Sequence, residues 1–593
     1  MTTTARAMTF TAEDRGRFHA AVRTAALDES VAAATAETLA RRWLSLLPSP
    51  PGIELPSILV HKVAGYNADL HQVVRRALRA RAAAARWLTD HAIGAGDTLE
   101  FPHGDLRLGE YFLLQHFTST RGRVRSSTPW SALLASLARA HPPRSRTPGF
   151  RRHEVELLTA GRADATAVGR FDVAFIATMD NYLNPMLAVI AELVGRGVHT
   201  AVILPRESST WANAARIDAR ATIIHLEDLV TPDLAERHSA WRSAAANDWA
   251  SRAPTLAPVL QVAGIDLWPL VHVDLEHVAT DCVPAARSCA EIGERLVHEH
   301  GVKVVVCARL RRLTEIAVCS AARRAGARAV MLVHGHVSRV PERVFEDGSF
   351  DGVDAVCAWG TDQRQAILEK ATVAKPGPIV PTGNPAWDSL RPPDEADRRS
   401  IRARIAVELD LNPGLRWVMV TTQQDSRTQF AEVAAAVLAN PDAALIVKTH
   451  PRESQDLYES CLAMPGGDRA RIISGVRPPL HDLLSAADAV VTFHSTTNIE
   501  SLLLGTPVIT AALGELRSID RLVSLERFGL PLAHTAAQLR DLLAAACADP
   551  SGFRRSLQPA ISAARHAIAG VTGTSAQATA RVCEIVLGRP TVA

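Results

Sequence analysis

The chain has 593 residues, more than one hydrophobic core usually organises, so we expect two or three domains. Nearly half of the residues are apolar and about a fifth are charged, which excludes a disordered chain, and the net charge of +3 gives no reason to expect a nucleic-acid partner. The N-terminus lacks the apolar core of a signal peptide, and no stretch approaches the ~20 apolar residues that cross a bilayer. We therefore expect a cytoplasmic protein.

The first region, residues 1–152, is predicted to be mainly helical. Apolar residues recur every three or four positions in VAAATAETLARRWLSLL and LHQVVRRALRARAAAARWLTDHA, and Pro-rich breaks interrupt the pattern. Between Arg121 and Arg152 there are eight arginines and no acidic residue. Such a run is usually a solvated face or a linker, with a phosphate patch or peripheral membrane contact as the alternative. No chemistry is assigned to this region, and we expect it to be separable from the rest.

The second region, residues 153–395, alternates short β-branched runs with helical stretches. FDVAFIATM is typical of a buried strand, and PMLAVIAELVGRG is predicted to be a helix with Asn184 as its cap and Pro185 in its first turn. Strand character resumes at residues 201–204 and in TIIHL, VKVVVCA, ARAVMLVHG and VDAVCAWG. Buried strands that alternate with helices predict a parallel, doubly wound sheet.

The third region, residues 396–593, starts the same pattern again. Its strand candidates are RWVMVTT, ALIVKTHP, ARIIS, AVVTFHS and TPVITA, and its helix candidates include FAEVAAAVLAN, HDLLSAADA and TTNIESLLLG. A turn-rich segment, PTGNPAWDSLRPPDEADRR, joins the two units. The predicted fold is therefore α/β, with two Rossmann-like lobes around a cleft. Ligands of such sheets bind outside the carboxyl ends of the strands, so the loops there are the candidate sites.

The eight cysteines are predicted to be small, reduced core residues. None forms a C-x-x-C pair, and several lie inside apolar runs such as VKVVVCARL, which favours packing over metal binding or disulfides. They stand at Cys282, Cys289, Cys307, Cys319, Cys357, Cys461, Cys547 and Cys583.

The best candidate site combines two strand ends of the third region. One strand ends on KTHPR, and a following strand ends on HSTT directly before a helix. A helix start with unpaired N–H groups, a positive dipole end and flanking hydroxyls is predicted to bind a phosphate or diphosphate. A carboxylate early in that helix is in position to accept sugar hydroxyls. The alternative is that Ser495 or Thr496 only caps the helix and that Glu500 is solvated. The candidate donor-binding residues are Lys448, His450, Arg452, His494, Ser495, Thr496, Thr497 and Glu500.

These motifs resemble the donor site of the glycosyltransferase-B (GT-B) superfamily. The pair HP and ST…E…LG.PVI is similar to that of bacterial capsule and lipopolysaccharide transferases that use CMP-sugars, of CDP-glycerol polymerases and of UDP-N-acetylglucosamine 2-epimerases. The segment TGNPAWDSL is similar to an interlobe segment of the epimerases, and the resemblance covers about residues 170–520. It implies that His450, Ser495 and Thr496 contact nucleotide phosphates and that Glu500 contacts the ribose.

One departure from the epimerase pattern favours group transfer. Epimerases normally carry a Ser-Gly-Gly run after this strand and a second acid beside the Glu, whereas this chain has Ser-Thr-Thr and a lone Glu500. Two alternatives stay open: a nucleotide-sugar 2-epimerase, hydrolase or CDP-alcohol phosphotransferase on the same fold, and a non-catalytic GT-B-like scaffold subunit. A non-catalytic scaffold would not need His450, Ser495 and Glu500, so their presence argues against that alternative.

The candidate catalytic loop of the second region is MLVHGHVSRVPERVFEDG. His334 and His336 end a strand there, and histidine is the usual general base for an acceptor hydroxyl. We predict that His336 is this base and that His334, Glu342 or Asp347 shares or orients the role. The HG element also resembles a loop beside the acceptor of CDP-glycerol polymerases. The alternative is a structural H-x-H pair packed under the cleft.

Asp180 and Asn181, in the first strand–helix loop of the second region, are further cleft candidates. Asp180 could equally be a loop acid without a role. No P-loop, dinucleotide, zincin or Asp-x-Asp pattern is evident, so we expect no metal and no cofactor.

The sequence as a whole predicts a metal-independent GT-B glycosyltransferase. It would move a sugar or related unit from a nucleotide-sugar donor, bound by the C-terminal lobe, to the hydroxyl of an acceptor sugar, polyol or small molecule on the N-terminal lobe. Surface polysaccharide or secondary-metabolite biosynthesis is the expected setting.

Overall fold

Three parallel sheets, of three, seven and six strands, organise the protein in a computed structural model. The structure describes residues 6–47, 70–93, 95–120, 122–140, 169–308, 310, 312–335, 337, 353–370, 377–423, 427–450, 453–475, 477–493, 495–513, 525–570 and 573–588.

The N-terminal region is mainly helical but also contains a small sheet that the sequence did not predict. Its strands are β1 (Ala7–Thr9), β2 (Thr98–Phe101) and β3 (Arg123–Ser126), with β2 in the middle. Each strand has only three or four residues, too few to show a periodic pattern. The helices are α1 (Ala12–Thr24), α2 (Glu29–Ser45), α3 (Leu70–Asp90), α4 (Leu108–Ser119) and α5 (Trp130–Ala140).

The seven-stranded sheet forms the first Rossmann-like lobe. Its strands are β4 (Val173–Ile176), β5 (Thr200–Leu204), β6 (Thr222–His225), β9 (Val304–Cys307), β10 (Arg328–Leu332), β11 (Ala355–Ala358) and β12 (Ile379–Pro381), while β7 (Gln261–Val262) and β8 (Ile265–Asp266) form a short hairpin. The order is β12-β11-β10-β9-β4-β5-β6, with every neighbouring pair parallel. The chain order reverses between β4 and β9, which creates a switch point there.

The helices of this lobe are α6 (Asp180–Gly195), α7 (Pro232–Leu256), α8 (Trp268–His277), α9 (Val283–His298), α10 (Leu313–Arg324) and α11 (Thr361–Lys370). The predicted start of α6 at Asn184 is wrong, because the helix begins at Asp180 and Pro185 lies inside it. Proline is tolerated there because it removes a single backbone hydrogen bond close to the helix start.

The six-stranded sheet forms the second lobe. Its strands are β13 (Arg416–Thr421), β14 (Ala443–Lys448), β15 (Ala470–Ile473), β16 (Ala489–Thr492), β17 (Val508–Ala511) and β18 (Leu532–Ala533), in the order β15-β14-β13-β16-β17-β18. The helices are α12 (Glu395–Leu409), α13 (Arg427–Leu438), α14 (Leu480–Ala486), α15 (Thr497–Leu503), α16 (Ala536–Ala548), α17 (Pro550–Ala564) and α18 (Ser575–Val586). This strand order is the Rossmann order, with its switch point between β13 and β16. The predicted α/β fold with two Rossmann-like lobes is confirmed.

The last helix, α18, packs on the first lobe although its position in the chain places it in the predicted C-terminal lobe. Its Ala580 and Cys583 share a hydrophobic core with β4, β10 and α6. Asp388, in the segment that connects the lobes, accepts hydrogen bonds from the backbone N–H groups of Ser575 and Ala576 at 3.0 and 2.9 Å. The apolar face of α18 and this capping carboxylate therefore fix the helix across the lobe boundary.

The N-terminal region shares one hydrophobic core with the first lobe. The ring centroids of Trp43 and Trp249 lie 6.1 Å apart, and the Tyr111 hydroxyl donates to the Asp266 carbonyl at 2.7 Å. This shared core argues against the expectation that residues 1–152 are separable, because their removal would expose buried faces of α7 and α8.

All eight cysteines are buried free thiols, as predicted. Among the described helices, none combines the length and the apolar composition that crossing a bilayer requires.

Candidate nucleotide-donor site

The carboxyl edge of the second sheet gathers the described donor-site candidates. β13 pairs with β14 on one side and with β16 on the other. Lys448 is the last residue of β14, His450 follows two residues later, and residues 495–497 follow β16. Because the chain leaves β13 and β16 in opposite directions across the sheet, the fold predicts a crevice at this edge, where nucleotides bind in folds of this type.

A buried hydrogen-bond network fixes the loop at His450. The Thr422 hydroxyl donates to the Glu453 carboxylate at 2.6 Å and accepts the backbone N–H of His450 at 3.0 Å. The Glu453 backbone N–H donates to the His450 carbonyl at 2.9 Å. Thr422 and Glu453 are buried, so this network positions the backbone beside the crevice rather than meeting solvent. Neither residue was predicted as part of the site, although Thr422 directly follows the strand run RWVMVT.

Lys448 lies at the same edge. Its Nζ donates to the carbonyl of Gly475, after β15, and burial lowers the pKa of its ammonium group. Among the described residues, the hydrogen-bond partner of Lys448 is thus a neutral carbonyl and not a carboxylate. A half-buried ammonium without a carboxylate partner is well suited to an anion such as a phosphate.

The start of α15 differs from the prediction. The Ser495 hydroxyl accepts the Thr497 N–H at 3.2 Å, the Ser495 carbonyl accepts the Asn498 N–H at 3.1 Å, and the Thr496 carbonyl accepts the Ile499 N–H at 2.9 Å. The expectation of unpaired N–H groups at residues 497–499 is therefore wrong, because this local turn satisfies them. The helix has only seven residues, so its dipole is short.

The start of α15 still offers hydroxyl groups to a ligand. The Ser495 and Thr497 hydroxyls lie 2.8 Å apart, and the side chains of Ser495, Thr496 and Thr497 are partly exposed. Below them, the Thr492 hydroxyl donates to the amide oxygen of Asn498, and both residues are fully buried. The buried pair holds the turn between β16 and α15, so the hydroxyls stand on a fixed backbone.

Glu500 has a partner that the sequence analysis did not single out. One of its carboxylate oxygens lies 3.5 Å from Nε2 of His481, at the start of α14. Burial works against the protonated ring, but the hydrogen bond and charge of Glu500 prevail, and the pKa of His481 is raised. The signal was the His in PPLHDLL, which the sequence analysis treated only as part of a helix.

Four predicted site residues lie outside the described residues. They are Arg452 and His494 on the donor side and His336 and Glu342 on the acceptor side. Asp347, the further candidate on the acceptor side, also lies outside the described residues.

His334 lies at the switch point of the first lobe. The Asn181 amide nitrogen is 3.0 Å from His334 Nε2, the Tyr182 ring centroid is 4.9 Å from the imidazole centroid, and the His334 N–H donates to the Ala308 carbonyl at 3.1 Å. The Asn181 side chain and the Tyr182 ring therefore contact the imidazole directly and hold it in one orientation.

Buried residues brace the loop that follows His334. Trp359 Nε1 donates to the Val333 carbonyl at 2.7 Å, and the Gln363 amide donates to the Gly335 carbonyl at 2.9 Å. The Trp359 ring packs 4.5 Å from that of Trp387, which belongs to the segment connecting the lobes. The candidate acceptor loop is thus tied to the lobe boundary.

Asp180 anchors a neighbouring loop. Its carboxylate accepts the Asn213 backbone N–H at 3.0 Å, and its carbonyl accepts from the Asn213 side chain at 3.2 Å. These contacts give Asp180 a structural role, which neither the cleft prediction nor the alternative of a loop acid without a role had foreseen. A second acid missed in the sequence, Glu315, lies fully buried at the same switch point, where it accepts from the Thr178 hydroxyl and from the Arg312 N–H.

Among the residues that the structure describes, no three His, Cys, Asp or Glu side chains are grouped as a metal site requires. Metal independence stays a prediction.

Comparisons with known proteins place this chain near sugar-active enzymes. No family model matches it. The lipid-A-disaccharide synthase of Azoarcus sp. (strain BH72) is 32% identical over 177 residues, which are 28% of this chain and only 42% of that enzyme's length. One similar solved structure is the UDP-GlcNAc 2-epimerase from Neisseria meningitidis bound to UDP-GlcNAc, with a TM-score of 0.45 and 10% sequence identity; the match covers 70% of this chain and 100% of that chain. Another is a glycosyltransferase from Rickettsia africae ESF-5, with a TM-score of 0.45 and 10% sequence identity; the match covers 71% of this chain and 100% of that chain.

Proposed function

We propose that this chain transfers a glycosyl or related unit from a nucleotide-activated donor to an acceptor hydroxyl. The observation that carries the proposal is the convergence of Lys448, His450 and the hydroxyls of residues 495–497 at the carboxyl edge beside the switch point of β13 and β16. A cation and several hydroxyls on a fixed backbone form a suitable site for the diphosphate of a nucleotide donor.

In this proposal the donor lobe stabilises the leaving group. As the bond between the sugar and the phosphate oxygen breaks, the electron pair and the negative charge move onto the departing nucleotide. Lys448, the His450 side chain and the hydroxyls of Ser495 and Thr496 would meet that charge in a preorganised crevice. Glu500, held by His481 at 3.5 Å, would accept hydroxyls of the ribose.

The acceptor proton would go to the loop after β10. Since the Asn181 side chain lies 3.0 Å from Nε2 of His334, we assign His334 a positioning role and keep His336 as the proposed general base. The acceptor oxygen would lose its proton to this imidazole while it forms the new bond to the sugar carbon.

The partial match to a lipid-A-disaccharide synthase supports sugar transfer to another sugar. It spans less than half of that enzyme, so the donor, the acceptor and the pathway of this chain are not taken from it.

A nucleotide-sugar epimerase or hydrolase on the same fold is the second candidate, because the crevice would bind the same donor. The discriminating experiment incubates the protein with UDP-GlcNAc, UDP-glucose, CMP-sialic acid and CDP-glycerol, first without any acceptor and then with a panel of saccharides and polyols. Transfer predicts nucleotide release only when an acceptor is present. Nucleotide release without an acceptor indicates a hydrolase, and formation of a 2-epimer indicates an epimerase.

A further inference from the structure

A pocket of about 460 Å³ lies in the N-terminal region, away from the two switch points. Its volume is within the range of about 300–1,000 Å³ that is typical of small-molecule sites. The walls come from α4, from β3 and from the turn that leads into α5. Neither the donor site nor the candidate acceptor loop uses any of these residues.

Side chains alternate between the two faces of β3, so the face toward the pocket carries no charge although the segment is basic. Val124 and Ser126 face the pocket, whereas Arg123 and Arg125 lie on the opposite, exposed face of the strand. Thus the pocket has a neutral lining although two arginines lie on the other face of the same strand.

Trp130 provides a flat apolar surface at the pocket. Its side chain is 40% exposed, and its ring stacks on that of Tyr111 with centroids 6.3 Å apart and planes inclined by 23°. Tyr111 is fully buried and is held by its hydrogen bond to the Asp266 carbonyl. The indole therefore rests on a fixed support, and its exposed surface can pack against an apolar face of a ligand.

The polar groups of the pocket offer both donors and acceptors. The Thr118 hydroxyl donates to the Gln115 carbonyl at 2.9 Å, which leaves its oxygen able to accept. The Ser126 hydroxyl accepts the Thr128 N–H at 3.2 Å, which leaves its proton able to be donated. The Gln115 side chain, also in the lining, carries one acceptor and a donor group.

We propose that this pocket binds a neutral carbohydrate. The C–H face of a sugar ring would pack on Trp130, and its hydroxyls, which both donate and accept, would bond to Gln115, Thr118 and Ser126. A phosphate would find no cation in the lining, and an acyl chain could not use the remaining hydrogen-bonding capacity of Gln115, Thr118 and Ser126. The pocket shares no residue with the donor site, so sugar binding here is independent of the proposed transferase activity.

Saturation-transfer NMR on the full chain tests this assignment. The probes are methyl β-D-glucoside, methyl β-D-galactoside, methyl α-D-mannoside, N-acetylglucosamine, cellobiose and chitobiose, with uridine as a planar nucleoside. We expect saturation of at least one sugar, at least a tenfold weaker signal in Trp130→Ala, and a retained signal in Trp130→Phe.

Two control variants separate the pocket from other sites. Trp241→Ala removes a partly exposed indole from α7, and Ser495→Ala alters the donor edge; both should bind the sugar as the wild type does. Matching thermal unfolding curves for the variants show that the fold is retained. Should Trp130→Ala unfold, Gln115→Ala, which removes a lining amide, is the second variant and should weaken sugar binding. The proposal is overturned if no sugar shows saturation, if uridine alone binds, or if the folded one of these two variants binds the sugar as the wild type does.

Discussion

Nε2 of His481 lies 3.5 Å from a carboxylate oxygen of Glu500, so an imidazole holds the acid that is proposed to read the ribose. Asp482 is adjacent in sequence and is itself paired with Arg404 at 2.6 Å, which leaves Glu500 as the principal partner of the ring. This pair links the stability of the donor lobe to pH.

Because the pKa of His481 is raised, the stability that this pair contributes decreases as the pH rises. Its stabilising contribution is fully present below the ordinary histidine pKa of about 6.5 and is lost as the pH rises through the higher value in the folded state. Since the side chain is 44% exposed, His481→Gln should cost no more than about 1 kcal/mol near pH 6 and less at alkaline pH. Urea unfolding at the two pH values measures this, with His534→Gln in the same lobe as the control. A cost that does not change with pH would contradict the assignment.

Glu500→Gln should discriminate between sugars of the nucleotide. If the carboxylate accepts the ribose hydroxyls, the variant should lose about 1–3 kcal/mol of affinity for a ribonucleotide and much less for its 2′-deoxy analogue. Calorimetric titration with UDP and 2′-deoxy-UDP compares the two. Equal losses would remove Glu500 from the site.

The N-terminal region should be required for a stable fold. Trp43 is fully buried against the first lobe, so Trp43→Ala should lower the free energy of unfolding by about 3–5 kcal/mol, and a chain that starts at residue 153 should aggregate. Size-exclusion chromatography of the truncated chain and chemical denaturation of the variant are the measurements. Leu46→Ala, at a 41% exposed position on the same region, is the matched control and should cost little. A soluble, monomeric truncated chain would show that the shared core is dispensable.

The periodic part of the fold was predictable from the sequence. Buried runs such as VVVC and AVVT and the helices between them fix two parallel sheets, because strands buried on both faces need helices on both sides. The strands β1–β3 and the crossing of α18 were not predictable, since the former are too short and the latter depends on a distant cap at Asp388.

Site residues were predictable only where the residue type and its position at the end of a strand together indicate one kind of chemistry. Lys448, His450 and Ser495 follow strand ends and could be found by position. Partners such as His481 for Glu500 and Asn181 for His334 arise from tertiary packing between separate elements, which a single sequence does not display. The paired N–H groups at the start of α15 were missed for a similar reason, because a local turn and a phosphate site share the same residue types.

The two histidine motifs should divide binding from turnover. His336→Ala should lower turnover by about 10²–10⁴-fold with donor affinity nearly unchanged, and its activity should lose the acidic limb of the pH profile. His450→Ala should impair donor binding and turnover together. Asn181→Ala, which removes the amide beside Nε2 of His334, should lower turnover less than His336→Ala does. Loss of donor binding in His336→Ala with a retained pH limb would show that the lobes are assigned the wrong way round.

The central claim is that the carboxyl edge of the second lobe binds a nucleotide, and calorimetric titration tests it most directly. CMP, CDP, UDP, GDP and dTDP are titrated into the wild type and into the double variant Ser495→Ala, Thr496→Ala, with Thr535→Ala, which removes the cap of α16 in the same lobe, as the control. We predict that at least one nucleotide binds the wild type, that the double variant loses about 1–3 kcal/mol of affinity, and that Thr535→Ala binds normally. No binding of any nucleotide to the wild type, or equal affinity in the double variant, would contradict the account.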